Sequence, residues 1–336
     1  MTIARYPALL LLLLCALPAL DGCGHTITVP ITPIDPAYVT PYVWNDSLRP
    51  SSIMIVGDLQ PTSWLERVFL GRSQNDSIRS AMIDATLART PDLMLLLGDQ
   101  VGEGEHLSEW HRFDTLMAPI CRAHQPVYAV VGNHDYGLAT TRGIRHCVAR
   151  FPYATSLPQV VRLADSVVML VVDSNIETLP EHLQERQEKL YRQLLTRFDR
   201  DPAVRGVIVA SHHPPYTNSD LPIDRRVREM FAPPFLKATK TMLFLSGHIH
   251  SYERIEIEGK TFIVSGGGGG PRREVDTSAS RPFHTDRYRL GTLRYHHFVD
   301  LTVRPEGLRG EVYMLVDEEF KLGDGFALRW GVGSRE

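Results

Sequence analysis

Val127-Tyr128-Ala129-Val130-Val131-Gly132-Asn133-His134-Asp135 carries the pattern on which the rest of the chain turns. The apolar run reads as a short buried strand, and the glycine after it opens a loop of polar residues. The arrangement recurs on both sides. Ile53-Met54-Ile55-Val56 runs into Gly57-Asp58-Leu59-Gln60, and Leu93-Met94-Leu95-Leu96-Leu97 into Gly98-Asp99-Gln100. Farther on, Val207-Ile208-Val209-Ala210 precedes Ser211-His212-His213-Pro214, and Leu243-Phe244-Leu245 precedes Gly247-His248-Ile249-His250. Asp, Asn and His thus recur at strand ends, which is how a fold gathers oxygen and nitrogen ligands around metal ions.

Helical patterns separate these strands. Ile78, Met82, Ile83, Ala85 and Leu87 stand near helical spacing after Asn75-Asp76, with Pro91 as the stop. Leu107, Trp110, Phe113, Leu116 and Met117 form a second stripe, and Pro180 to Arg200 a long amphipathic one. Val167 to Val172 predicts a further strand, ending at Asp173-Ser174-Asn175. After His250 the pattern becomes antiparallel. Arg254 to Glu258 turns at Gly259-Lys260 and returns as Thr261 to Val264, and Tyr295 to Val303 and Leu308 to Val316 flank Pro305-Glu306-Gly307. Two packed sheets with helices outside satisfy both halves.

The chain has 336 residues, 43% of them hydrophobic and 22% charged, enough for a sizeable core. A formal net charge of -3 supplies no global attraction to nucleic acid, which argues against a nuclease acting on polymers. Arg5 precedes an apolar run from Ala8 to Leu20, shorter than the roughly 20 residues that span a bilayer. Leu20-Asp21-Gly22-Cys23 resembles a bacterial lipoprotein cleavage box with Cys23 as the lipidated residue, although Asp21 is atypical there. A plain signal peptide and an uncleaved anchor are the alternatives. The expected organisation is a signal over 1–22, a Pro-rich tether over 23–50, one domain over 51–320 and a tail over 321–336. Export to the cell envelope permits a Cys121–Cys147 disulfide, and two buried thiols is the other reading.

A two-ion hydrolase needs hard oxygen donors, histidines for affinity and one carboxylate able to bridge. Taken singly the five loops are weak signals; together, in this order, the chain resembles the calcineurin-like metallophosphoesterase superfamily, which includes purple acid phosphatases. The resemblance covers Ser51 to Val316 and extends to Trp110, Phe113 and the Gly266 to Gly270 run. It implies an α/β fold, a four-layer α/β/β/α sandwich of two mixed sheets with the site at the strand ends. It assigns Asp58 and His250 to one ion, Asp99 to the bridge, and Asn133, His212 and His248 to the other. Two ions, with Fe, Mn or Zn as fitting metals, are implied as cofactors, with a metal-bound hydroxide attacking a small phosphorylated substrate. His134 is the expected proton donor to the leaving group, with Asp135 orienting its ring. His213 is read as substrate-facing, as support to a ligand, or as a structural hydrogen bond.

One departure stands out. Most of the superfamily has Asp-x-His in the first loop, and this chain has Gln60. The Tyr that purple acid phosphatases supply shortly after the second Gly-Asp is also missing from Gln100-Val101-Gly102-Glu103. Gln60 could ligate through a neutral amide oxygen or only orient a water, so the first ion site is expected to be the weaker. A subset of the superfamily resembles this chain in carrying Asp-x-Gln. A lipid-anchored binding protein that lost catalysis is the rival reading. The glycine run is read as a flexible exit, with phosphate approach as the alternative. Arg272, Arg273, His284, Arg287 and Arg289 are read as a solvated loop, with a basic lid as the alternative.

Overall fold

The computed structural model describes residues 27–28, 38–63, 67–69, 71–222, 224–283 and 285–331. The predicted signal, Cys23 and His284 lie outside them. The strands of the two large sheets are β1 (Ser52–Val56), β2 (Leu93–Leu96), β3 (Val127–Ala129), β4 (Gln159–Leu163), β5 (Val167–Val171) and β6 (Gly206–Ala210). They continue with β7 (Thr241–Ser246), β8 (Tyr252–Ile257), β9 (Lys260–Ser265), β10 (His297–Arg304), β11 (Gly307–Val316) and β12 (Glu319–Arg329). The helices are α1 (Asp76–Leu87), α2 (Leu107–Leu116), α3 (Ala118–Arg122), α4 (Asn133–Tyr136), α5 (Thr140–Arg150), α6 (Glu181–Arg200) and α7 (Arg225–Lys237).

One sheet has the order β12-β11-β10-β1-β2-β3 and the other β8-β9-β7-β6-β5-β4. β1, β2 and β3 run parallel, as do β5, β6, β7 and β9, so both mixed sheets point their parallel strand ends the same way as the polar loops. Alternate residues divide the core. Ile53, Ile55, Leu93 and Leu95 meet Met169, Val171, Ile208 and Leu245 between the sheets. Met54, Val56, Met94 and Leu96 face the other way, onto Met82, Trp110, Phe113 and Ile120. Val168, Leu170, Val207 and Val209 lie under Tyr191, Leu194, Phe231 and Phe235 of α6 and α7. Strands buried on both faces need continuous apolar runs, which is why each of these segments lacks an alternating polar face. The result is the expected four-layer sandwich.

The expected boundaries move outward at both ends. Residues 38–50 are not a free tether: Tyr42 is buried against Phe113 and Phe151, Thr40 donates to the Arg150 carbonyl at 2.7 Å, and Trp44 meets the Tyr128 ring edge-on. The prolines exclude regular structure here but not packing. Residues 321–329 are not a tail, because β12 pairs with β11 along its length. Farther upstream, Ile27–Thr28 pairs with Ser156–Leu157. Cys121 and Cys147 are free thiols. Among the described residues no helix is long and apolar enough to cross a membrane.

Glu253, on β8, is buried beneath the fourth polar loop. Its Oε2 accepts the Asn218 N–H at 2.7 Å, and Oε1 is hydrogen-bonded to the Thr217 hydroxyl. Burial raises its pKa to about 7, against the opposing pull of those two hydrogen bonds. A carboxyl whose folded pKa is raised binds its proton more tightly when folded. Its contribution is therefore complete below the unfolded value near 4.5 and is lost as pH rises through about 7, at most about 3 kcal/mol. Glu253→Gln copies the protonated form, one acceptor and one donor. Melting curves of both proteins at pH 5 and pH 8 are expected to show the Gln variant gaining on the wild type as pH rises; parallel shifts would contradict this.

Candidate metal centre

Each polar loop turns sharply at the end of a parallel strand, and three of the expected ligands sit in strained backbone. Asp58, Asp99 and His248 have φ of 62°, 52° and 67°. Left-handed conformations are costly for residues with a Cβ, and their clustering in three loops that meet at one point marks a functional site. Gly98, with φ of 97°, is needed for space as well, since a Cβ there would lie 2.3 Å from His212 Nδ1.

The loops converge as two clusters. In one, ligand atoms of Asp58, Asp99 and His250 lie within 4.8 Å of one another; in the other, those of His212, His213 and His248 do. Asn133 belongs with the second: its Oδ1 is 3.0 Å from both His212 Nε2 and His248 Nδ1. Those two ring nitrogens are themselves 3.3 Å apart. Asp99 faces both clusters, with Oδ2 3.3 Å from His212 Nε2 and 3.4 Å from Gln60 Nε2. His212 and His250 each give Nδ1 to a backbone carbonyl, Leu97 and Pro271, at 2.8 Å, which fixes the ring and turns Nε2 toward the site. The Asp58 carboxylate accepts the His248 N–H at 2.9 and 3.1 Å, tying the first loop to the fifth.

Charge in the second cluster is divided unequally. Burial opposes a proton on His212, but Asp99 outweighs it and raises the pKa to about 10. Burial and the neighbouring His212 push His213 down to about 3 and lower His248 as well. His248 and His213 are therefore uncharged at neutral pH, the form in which imidazole binds metal. The donor set of carboxylate, amide oxygen and imidazole suits Fe, Mn or Zn.

Gln60 supplies the clearest test of fit. Its Nε2 is 3.0 Å from His250 Nε2, while its Oε1 is buried without a partner. Turning the amide over would bring the oxygen to the Asp58, Asp99 and His250 cluster, an orientation that a cation there would favour. The backbone that carries this side chain is held from behind. Asn75 donates to the Gln60 carbonyl at 3.1 Å, and Arg79 to the Leu59 carbonyl at 2.6 Å. A neutral amide oxygen is a weaker ligand than imidazole, so metal titration by calorimetry is expected to resolve one tight and one weaker site. Gln60→His is expected to tighten the weaker one about tenfold or more; two equally tight sites in the wild type would refute this.

His134 adjoins the centre without entering either cluster. Its N–H donates to Asp99 Oδ1 at 2.9 Å, and its Nδ1 lies 2.7 Å from the Gly102 carbonyl, leaving Nε2 for the mouth. Asp135 does not orient this ring, contrary to expectation. Its carboxylate points back into the loops and accepts the N–H groups of Gly132, Gln100 and Asp99 at 2.8, 2.9 and 3.1 Å. The short helix α4 places successive side chains on different sides, so sequence neighbours part. The glycine run is not a flexible exit either. Gly268 N donates to the Gly57 carbonyl at 2.7 Å and Gly270 N to the Asp58 carbonyl at 3.0 Å, so the run is a backbone floor under the first loop.

The sequence reading missed three supports. Ser174 bonds His213 twice, through its Nδ1 at 3.0 Å and its N–H at 2.8 Å. Asp173 accepts from Tyr136 at 2.6 Å and Asn175 donates to the Val131 carbonyl at 3.0 Å, so the segment after β5 joins the third loop and, through Ser174, the fourth. His296, just before β10, has its Nδ1 buried without a partner; burial and then Arg272 lower its pKa to about 4. The polar ending Asp173-Ser174-Asn175 was the available signal for the first two. Arg287 is paired with Glu256 at 2.5 Å, as a surface loop predicts.

A family model described as calcineurin-like phosphoesterase matches residues 51–252, more than half of the 336 residues. No curated protein matches the chain. Among solved structures, purple acid phosphatase PPD1 from yellow lupin (Lupinus luteus) seeds is similar with a TM-score of 0.63 and 18% identity. That match covers 85% of this chain and spans 55% of the lupin protein. GAP50, the anchor in the inner membrane complex of Plasmodium, gives 0.58 and 13%, covering 84% of this chain and 90% of that one. A dimetal phosphatase from Danio rerio gives 0.55 and 13%, covering 84% and 99%.

Proposed function

This chain belongs to the calcineurin-like phosphoesterase family, a family of metal-dependent phosphoester hydrolases, and we propose that it hydrolyses a small phosphomonoester or phosphodiester at a two-ion centre built on Asp99. The observation that carries this reading is a single carboxylate facing both ligand clusters, with Gln60 and His212 on its two sides. Ions held there supply positive charge to phosphoryl oxygens and lower the pKa of water toward neutrality. The chain's own residues do the rest. Asp58 and Asp99 provide the negative charge, Asn133 a neutral oxygen, and His212, His248 and His250 oriented nitrogens. His134 holds a proton at Nε2 where a leaving alkoxide can take it. Asp135 locks the second and third loops in register, and Ser174 sets the ring of His213 beside that of His248, centroids 4.3 Å apart. The apolar start and Cys23 support export to a bacterial cell envelope as a lipid-anchored protein.

The test is a panel of phosphomonoesters and phosphodiesters assayed with Mn, Fe, Zn and Mg, the metal-stripped protein serving as blank. Turnover that appears only with metal is the expected result. Metal binding without turnover of any ester would favour the rival, a binding protein on a scaffold that Gln60 has disabled.

A further inference from the structure

We propose that the substrate is a phosphate ester whose alcohol carries a long apolar chain, taken from a lipid surface against which the mouth of the centre rests; this builds on the phosphoesterase reading above. Scattered exposed apolar side chains are ordinary, but here most of those in the exposed class follow ligand-bearing strand ends in the chain. Leu138 is 97% exposed, Phe69 73% and Leu290 68%. With Val68, Leu107, Leu293 and Tyr295 they lie on connections that leave the ligand-bearing ends of β1, β2, β3 and β9. Among the described residues, the other large apolar side chains in the exposed class are Val39, Val43 and Leu322.

Their placement follows the chemistry. Leu138 lies four residues beyond His134, on the same connection that leaves the end of β3. Its N–H donates to Glu105 Oε1 at 3.2 Å, which fixes the backbone while the side chain stays in solvent. It shares a shallow groove with Thr140, Thr141 and the exposed Arg142. Across the centre, Leu293 pairs with Glu274, and Arg273, next to Glu274, donates its N–H to the His250 carbonyl at 3.0 Å. Exposed apolar side chains with Arg142 beside Leu138, and with Arg273 adjoining the residue that pairs with Leu293, suit an interface of acyl chains and anionic headgroups. The net charge of -3 does not oppose this, because attraction to a membrane acts within about a Debye length of the basic side chains.

The N-terminal segment points the same way. Ile27–Thr28 pairs with Ser156–Leu157, immediately ahead of β4, whose first residue Gln159 pairs with Val171 at the end of β5. That places Ile27 at the ligand-bearing end of the second sheet. Cys23 is four residues earlier, at most roughly 14 Å of extended chain. A lipid on Cys23 would hold the mouth toward the bilayer.

The experiment uses the full chain in mixed detergent micelles, loaded with the metal that gives the highest turnover in the ester panel. Dioleoyl phosphatidate and dioleoyl phosphatidylglycerol are each compared with their deacylated, soluble counterparts. A preference of tenfold or more in kcat/KM for a lipid over its soluble counterpart is expected. Leu138→Glu is expected to cut the lipid rate about tenfold more than the soluble rate, the scale set by withdrawing one leucine from a lipid surface. Leu138 packs against little, so an unchanged melting curve certifies the fold. Soluble esters hydrolysed as well as the lipids, or a ratio that Leu138→Glu does not move, would overturn the inference and leave the phosphoesterase reading standing. No turnover of any ester would overturn both.

Discussion

Asp99→Asn is expected to leave the protein folded and to reduce metal-dependent ester hydrolysis by roughly three orders of magnitude. The site concentrates two tasks on this one side chain. Oδ1 accepts the His134 N–H at 2.9 Å, so the carboxylate positions the proton donor, while Oδ2 lies between the clusters, beside His212 and Gln60. Asparagine can keep the first contact through its own Oδ1. It cannot keep the second, because an NH₂ group offers no lone pair to a cation and removes one of the two carboxylates, Asp58 and Asp99, that face the centre. For the fold two effects oppose each other: the ion pair with His212, 3.3 Å away, is lost, and a repulsion is lost with it. Asp99 is buried near Asp135, whose pKa burial and then the Asp99 charge raise to about 7, so removing that charge relieves a repulsion. The measurements are calorimetric metal titration, steady-state kinetics at saturating metal and thermal melting. Activity within tenfold of wild type with both ions bound would show that the shared carboxylate is not the organising element.

The part of this centre that was legible in the sequence was legible for a topological reason. A ligand that directly follows a buried parallel strand must lie at that strand's end, so Asp58, Asp99, Asn133, His212 and His248 could be gathered at one edge without knowing the strand order. Support residues follow no such rule. Asn75 and Arg79 come from α1 and reach back to Leu59 and Gln60 across the first loop. Asp135 looked like a partner for the adjacent His134 ring, but helical geometry sends its carboxylate to the backbone of Gly132 and Gln100. β12 escaped because Gly323, Asp324 and Gly325 interrupt the alternation of Phe320, Leu322, Phe326 and Leu328 in an edge strand that is only partly buried. Likewise α7 carries Pro233 and Pro234 inside it, which by local propensity argue against a helix that tertiary packing of Val227, Phe231 and Phe235 sustains.

His134→Ala separates acid catalysis from mere loop packing, because only the former depends on the leaving group. With Nδ1 bonded to the Gly102 carbonyl, the nitrogen left to exchange a proton is Nε2. The Asp99 charge raises the pKa of the ring, burial opposing, which shifts the balance toward the protonated form that an acid needs. A positioned acid of this kind contributes roughly 10²–10⁴-fold when the departing oxygen is a strong base. An alkyl phosphate needs that proton, and a nitrophenyl phosphate, whose phenolate is a far weaker base, does not. The variant is therefore expected to lose two or more orders of magnitude in kcat on the alkyl ester and less than about tenfold on the aryl ester. Metal content is expected to be unchanged, since His134 stands outside both ligand clusters. Equal losses on both esters would assign His134 to binding the phosphoryl group, and an unchanged kcat on both would leave it only the hydrogen bond that tethers the third loop to the second.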